Sequence, residues 1–162
     1  MNRNTSITIP TLVRIKSGAL DRLGVYVTRG QFKTAVLVLN KGLDAALVTR
    51  VEQALAQEGI RILERIEVVA SSFEQAQDVF QALPFKTNVI IGLGGGKALD
   101  VGKYVAFLTR LPYIAVPTAL SNDGFCSPQS SLEFKGKRRS FPAAMPYGVV
   151  VDTQVCLNAP KI

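Results

Sequence analysis

Histidine is missing from all 162 residues. Its absence excludes histidine metal ligands, histidine general bases and every Ser/His/Asp or Cys/His nucleophile pair, and it leaves no side chain that titrates near neutral pH in its unperturbed state. Cysteine is nearly as scarce. Cys126 and Cys156 stand far apart with no CxxC, so neither a zinc cluster nor a dense disulfide framework is available, and a reducing compartment is the expectation. Long apolar runs are lacking too. The stretches Asn88 to Leu93 and Gly148 to Val151 fall far short of the roughly 18 residues that a membrane helix needs. The first ten residues are polar and carry Arg3 with no apolar stretch behind it, unlike a secretory leader. A soluble, cytoplasmic protein without membrane association is therefore expected. With 48% hydrophobic and 19% charged residues, disorder along the whole chain is excluded.

Hydrophobic periodicity carries the fold class. Ala35 to Leu39 is an uninterrupted apolar run, the pattern of a strand covered by helices on both sides. From Leu43 to Glu58 the apolar residues recur at helical spacing, and Gly59 stands where a left-handed residue would end that helix. Thr11 to Ile15, Ile60 to Val69, Asn88 to Ile91, Tyr113 to Val116 and Gly148 to Val151 read as further strands. Ala19 to Thr28, Phe73 to Leu83 and Ala98 to Leu108 read as helices, with Ser72 as an N-cap and Pro84 as a stop. The alternation predicts a Rossmann-like α/β domain, a parallel sheet flanked by helices. A β-hairpin is expected around Lys135-Gly136-Lys137, between Ser131 to Phe134 and Arg138 to Phe141. Thr118 to Gln129 is crowded with Ser, Asn, Asp, Gly and Pro and reads as a functional loop. No closing helix is read after the last strand.

Gly92, Gly94, Gly95 and Gly96 lie between a buried strand and a helix. The first helical N–H groups there are unpaired, and missing side chains let a diphosphate approach the backbone closely. A tight turn alone would not need so many glycines. Two common motifs fail, however. A P-loop would need glycine at Ile91 and Ser or Thr at Ala98, and GxGxxG meets Lys97 or Leu99 at its last glycine. Lys97, Asp100 and Lys103 follow at spacings of three, which reads plainly as a solvated helix face.

Two motifs together are more specific. Gly94-Gly95-Gly96-Lys97-x-x-Asp100-x-x-Lys103 and Pro117-Thr118-x-x-Ser121-Asn122-Asp123-Gly124-x-x-Ser127-Pro128 resemble those of the iron-containing alcohol dehydrogenase, glycerol dehydrogenase and dehydroquinate synthase superfamily. Within it, the chain is most similar to glycerol-1-phosphate dehydrogenases, over Thr11 to Pro160. The resemblance implies that Gly94, Gly95 and Gly96, with Lys97 and Asp100 nearby, hold the pyrophosphate of NAD or NADP. It implies that Thr118, Ser121 and Ser127 contact the cofactor and that Asp123 binds a small polyol or polyol phosphate. At the strand end where a carboxylate often holds the NAD ribose, this chain has Asn40 followed by Lys41, so tolerance of both dinucleotides is expected. Asp44 is explained by the start of a helix.

Family members also hold a divalent metal, zinc, iron or nickel, through an aspartate and two histidines of a helical C-terminal domain. That domain has no counterpart here, and Asp152 reads as an ordinary strand-end acid. The 162 residues are thus expected to be one dinucleotide-binding domain, a fragment, a truncated product or half of a split protein, inactive in isolation. A glycerol dehydrogenase-like domain and a non-catalytic dinucleotide-binding module are the alternatives. A face left without its partner domain would favour self-association. The formal net charge of +7 and the basic residues Lys135, Lys137, Arg138 and Arg139 raise nucleic acid as a partner. No aromatic platform alternates with them, and they read as a solvated hairpin edge.

Overall fold

The structure, a computed structural model, describes residues 9–120 and 124–159. Strand β2 (Thr34–Asn40) shows why the sheet forms: Ala35 to Leu39 are all buried, and successive side chains point to opposite faces. Ala35, Leu37 and Leu39 pack with helices α1 (Leu23–Arg29) and α2 (Ala45–Ala56) on one side. Val36 and Val38 pack with α3 (Phe73–Ala82) and α4 (Gly96–Thr109) on the other. Two apolar cores, one on each face, leave no face of this strand for solvent, as its unbroken apolar run requires.

Six strands form the sheet in the order β1 (Leu12–Lys16), β8 (Gly148–Asp152), β5 (Tyr113–Pro117), β4 (Val89–Gly94), β2 and β3 (Arg61–Val68). Every pairing is parallel. The chain runs outward from β2 to β3, then returns across β2 to β4. Connections therefore diverge between β2 and β4, which places a crevice beyond the C-terminal ends of these two strands. Ser72 caps α3 by accepting a hydrogen bond from the Gln75 N–H at 3.1 Å. Gly59 closes the α2 turn with φ of 74°.

Strands β6 (Gln129–Phe134) and β7 (Lys137–Pro142) make the expected antiparallel hairpin. Lys135 and Gly136 form its turn, both at positive φ. The hairpin lies against α3 and α4 through buried Leu132 and an aromatic group of Phe73, Tyr104, Phe134 and Phe141. Among the described residues no helix is long and apolar enough to cross a membrane.

Three expectations are corrected. Ala19 to Thr28 is a 3-10 turn over Ala19–Arg22 followed by α1. A short helix, α5 (Thr153–Leu157), does follow β8, because the Asp152 carboxylate accepts from the Gln154 N–H at 3.0 Å and caps it. Strand β4 continues through Gly92 and Leu93 to Gly94 instead of ending at Ile91. Gly92 and Leu93 pair with Val38 and Leu39 on one side and with Ala115 and Val116 on the other, so ladder partners outweigh the glycine signal. Gly92 is a glycine for packing: a Cβ there would overlap the Tyr113 hydroxyl.

Candidate functional site

The glycine run serves three different physical ends. Gly92 makes room for Tyr113. Gly94 sits at φ of 138°, a conformation only glycine adopts readily, and a side chain there would also meet the Asn40 amide oxygen. Gly95 has φ of −91°, and a Cβ on it would meet nothing within 4 Å. It faces open space at the N-terminus of α4.

Asn40, at the end of β2, fixes this turn. Its Oδ1 accepts from the Gly95 N–H at 2.9 Å. Helix α4 then starts when the Leu99 N–H donates to the Gly95 carbonyl at 3.1 Å. The N–H groups of Gly96, Lys97 and Ala98 lie within the first turn, where helical geometry supplies no acceptor. With 14 residues behind them, these donors carry the positive end of the helix dipole. Lys97 is exposed at the same end. The end of β5 is tied in as well, because the Thr118 N–H donates to the Gly94 carbonyl at 3.0 Å. Beside Thr118 opens a cleft of about 590 Å³ lined by Gly42, Leu43, Leu47, Arg50 and Val155 among others. Asp44 borders it too, and its Oδ1 caps α2 by accepting from the Ala46 N–H at 3.0 Å.

Asn40, Gly94, Gly95, Gly96, Lys97 and Thr118 thus come together at the C-terminal ends of β2, β4 and β5. Asp100 and Ser127 belong to the seam between α4 and the hairpin. The Asp100 carboxyl faces the Ser131 N–H, Lys103 and Arg138, and burial pushes its pKa above the usual value while those partners pull it back. The Ser127 hydroxyl donates to the Gln129 carbonyl at 3.3 Å. Ser121 and Asp123 lie outside the described residues.

Lys103 corrects the solvated-face reading. Its side chain is 1% exposed, with Nζ donating to the carbonyls of Ser127 at 2.9 Å and Gln129 at 2.7 Å. Burial pushes its pKa down, and Asp100 opposes that. Helical spacing puts Lys103 and Asp100 together in the sector that Ala98, Leu99, Val101, Tyr104, Val105 and Ala106 leave open, so periodicity gave no sign of burial; the segment and hairpin that carry Ser127 and Gln129 cover that sector. Asp152, also 1% exposed, accepts from the Leu20 N–H at 3.1 Å and from Arg50 at 3.3 Å. It joins three elements to β8 and is a structural acid. Among the described residues no group of three His, Cys, Asp or Glu side chains could hold a metal. Both cysteines are free, and burial raises the Cys156 thiol pKa.

A parallel sheet flanked by helices, with a glycine turn and a helix N-terminus at its switch point, defines a Rossmann-like α/β domain. The family model for iron-containing alcohol dehydrogenase matches residues 14–160, and the chain belongs to that family. Glycerol-1-phosphate dehydrogenase [NAD(P)+] of Metallosphaera sedula is 35% identical over 156 residues, which are 96% of this chain and 44% of the relative. The Aeropyrum pernix protein of the same name is 32% identical over 160 residues, 96% and 45% of the two chains. The crystal structure of glycerol dehydrogenase from Schizosaccharomyces pombe superposes with a TM-score of 0.86 at 27% identity, covering 96% of this chain and 40% of that one. The chain spans less than half the length of these relatives.

Proposed function

We propose that this chain is the NAD(P)-binding domain of a metal-dependent polyol phosphate dehydrogenase of the glycerol-1-phosphate dehydrogenase type. The observation that carries this reading is Gly95: it has open space above it, its own N–H is already used by Asn40, and the three N–H groups after it belong to the first turn, which has no acceptor for them within the helix. An anionic diphosphate fits that cradle in charge and in steric demand. When bound, the nicotinamide would give up or accept the hydride that interconverts a ketone and an alcohol, such as dihydroxyacetone phosphate and glycerol-1-phosphate.

The chain's own residues divide the binding work. The N–H groups of Gly96, Lys97 and Ala98 receive the diphosphate, and Lys97 adds an exposed positive charge. Asn40 holds the turn in shape, and Asp100 sits behind it in α4. Thr118, Ser121 and Ser127 take the remaining cofactor contacts, and Asp123 orients the substrate. Asn40 and the exposed Lys41 put no carboxylate against a ribose 2′-phosphate, so NADPH is accepted as well as NADH. The divalent metal that the family implies does not fit the described residues, which bring no three His, Cys, Asp or Glu side chains together.

Calorimetric titration with NADH and NADPH tests the reading, using the native chain and Gly95→Val. Both dinucleotides are expected to bind the native chain, and neither to bind Gly95→Val, whose thermal unfolding stays unchanged because its Cβ touches nothing in the fold. Failure of the native chain to bind either dinucleotide, or equal binding by the variant, overturns the proposal.

A further inference from the structure

Lys103 sits two turns into α4 from the glycine turn, and its environment is unusual for a lysine. The side chain is 1% exposed, and helix residues Val101, Val105 and Ala106 around it are buried. A charge removed from water in this way must be compensated by well-placed partners. Two of the partners are backbone carbonyls, those of Ser127 and Gln129, from a single short stretch that is 24 to 26 residues distant in sequence. Asp100, one helical turn earlier, adds a favourable charge.

The placement of those two carbonyls matters. The chain leaves β5 at Thr118, whose N–H is held by the Gly94 carbonyl, and re-enters regular structure at Gln129, the first residue of β6. Both ends of the intervening segment are therefore fastened to one β4–α4 unit, by a glycine carbonyl at one end and by the Lys103 ammonium at the other. The other ties of this end run to the hairpin and the core: the Pro128 carbonyl accepts from the Ala143 N–H at 2.8 Å, the Ser127 hydroxyl donates to the Gln129 carbonyl, and Phe125 is partly buried in the apolar core below. Lys103 ties this end to α4. Freeing the segment would strip a buried ammonium of two acceptors, so its position is coupled to the charge on Lys103.

We infer that Lys103 is a positioning residue: its buried ammonium clamps the Gly124–Gln129 segment onto α4 and so sets where the segment stands relative to the glycine turn. Its link to ligand binding rests on the dinucleotide reading given above. The clamp itself does not. An apolar residue of similar length, methionine, keeps the packing and removes the donors, but it leaves Asp100 without its ammonium and so costs overall stability as well. Cleavage is therefore compared at equal temperature below each chain's own unfolding midpoint. Arginine restores charge and donors.

Chymotrypsin cleavage after Phe125 reports the segment directly, and NADH titration reports its consequence. In Lys103→Met, cleavage under those conditions is expected at least tenfold faster than in the native chain, and NADH affinity is expected to fall about tenfold. Lys103→Arg is expected to return both values to within about threefold of native. Native-rate cleavage in Lys103→Met overturns the clamp, and faster cleavage with unchanged NADH affinity overturns its role at the site. Should Lys103→Met not fold, Lys103→Gln, which keeps a shorter amide donor, decides: native-rate cleavage overturns the clamp and accelerated cleavage sustains it. If the native chain binds no dinucleotide, the functional reading fails while the cleavage rates still settle the clamp.

Discussion

The glycine at position 92 offers a sharp test of the packing argument. Its Cα faces the ring of Tyr113, which is 3% exposed and donates its hydroxyl hydrogen to the Leu99 carbonyl at 2.9 Å. In Gly92→Ala the new methyl overlaps the phenolic oxygen and lies 3.0 Å from Cζ. The ring has no room to retreat, because Gly102 borders it on another side, where a Cβ would stand 3.1 Å from Cε2. Overpacking of this kind costs about 1–3 kcal/mol. Displacing the hydroxyl also forfeits a buried hydrogen bond worth about 1 kcal/mol. Together they predict a loss of about 2–4 kcal/mol for Gly92→Ala. Tyr113→Phe alone should cost only about 1 kcal/mol, since the Leu99 carbonyl keeps its acceptor role in the α4 ladder. In the double variant the overlapping oxygen is gone, so the pair should be less destabilising than the sum of its parts by about 1 kcal/mol or more. Urea unfolding followed by far-UV circular dichroism, with equal slopes required across the set, measures all four corners of this cycle. Strict additivity, or a cost below about 0.5 kcal/mol for Gly92→Ala, would refute the assignment of Gly92 to packing.

Further outcomes follow from the same geometry. Asn40→Ala should release the glycine turn, weakening dinucleotide affinity by about tenfold, near 1.4 kcal/mol, while costing the fold only about 1 kcal/mol; calorimetry and urea unfolding separate the two. Asp152→Ala removes a buried carboxylate that serves the Leu20 N–H and caps α5 at Gln154, while Arg50 keeps Asp21, and urea unfolding should register a loss of about 2–4 kcal/mol. Asp100 has its folded-state pKa raised, chiefly by burial. Its stabilising contribution is therefore complete below the unfolded value near 3.8 and is lost as pH rises through the folded value. The stability of the native chain relative to Asp100→Asn should accordingly grow on acidification, and a difference that shrinks would contradict the burial of that carboxyl. The purified chain should show no turnover of dihydroxyacetone phosphate with either reduced dinucleotide, and sustained turnover free of contaminating enzyme would overturn the expectation.

What the sequence alone determined is what neighbouring residues control. The apolar run Ala35 to Leu39, the helical spacing from Leu43 to Glu58, the Ser72 cap and the Lys135-Gly136 turn all rest on interactions within a few residues, and all stand in the structure. The two motifs were sufficient for the family, because residue type and spacing are properties of the chain itself. Only the tertiary structure decided the rest. Asn40 meets Gly95 across 55 positions, and Asp152 meets Leu20 across 132. Gly92 is explained by Tyr113 on the next strand, and the lysine that looked solvated is covered by a segment and hairpin that arrive more than twenty residues later. Local periodicity carries no information on such pairs. They exist because parallel crossovers bring distant strand ends together, and because burial on both faces of the sheet makes an unpaired polar group inside costly.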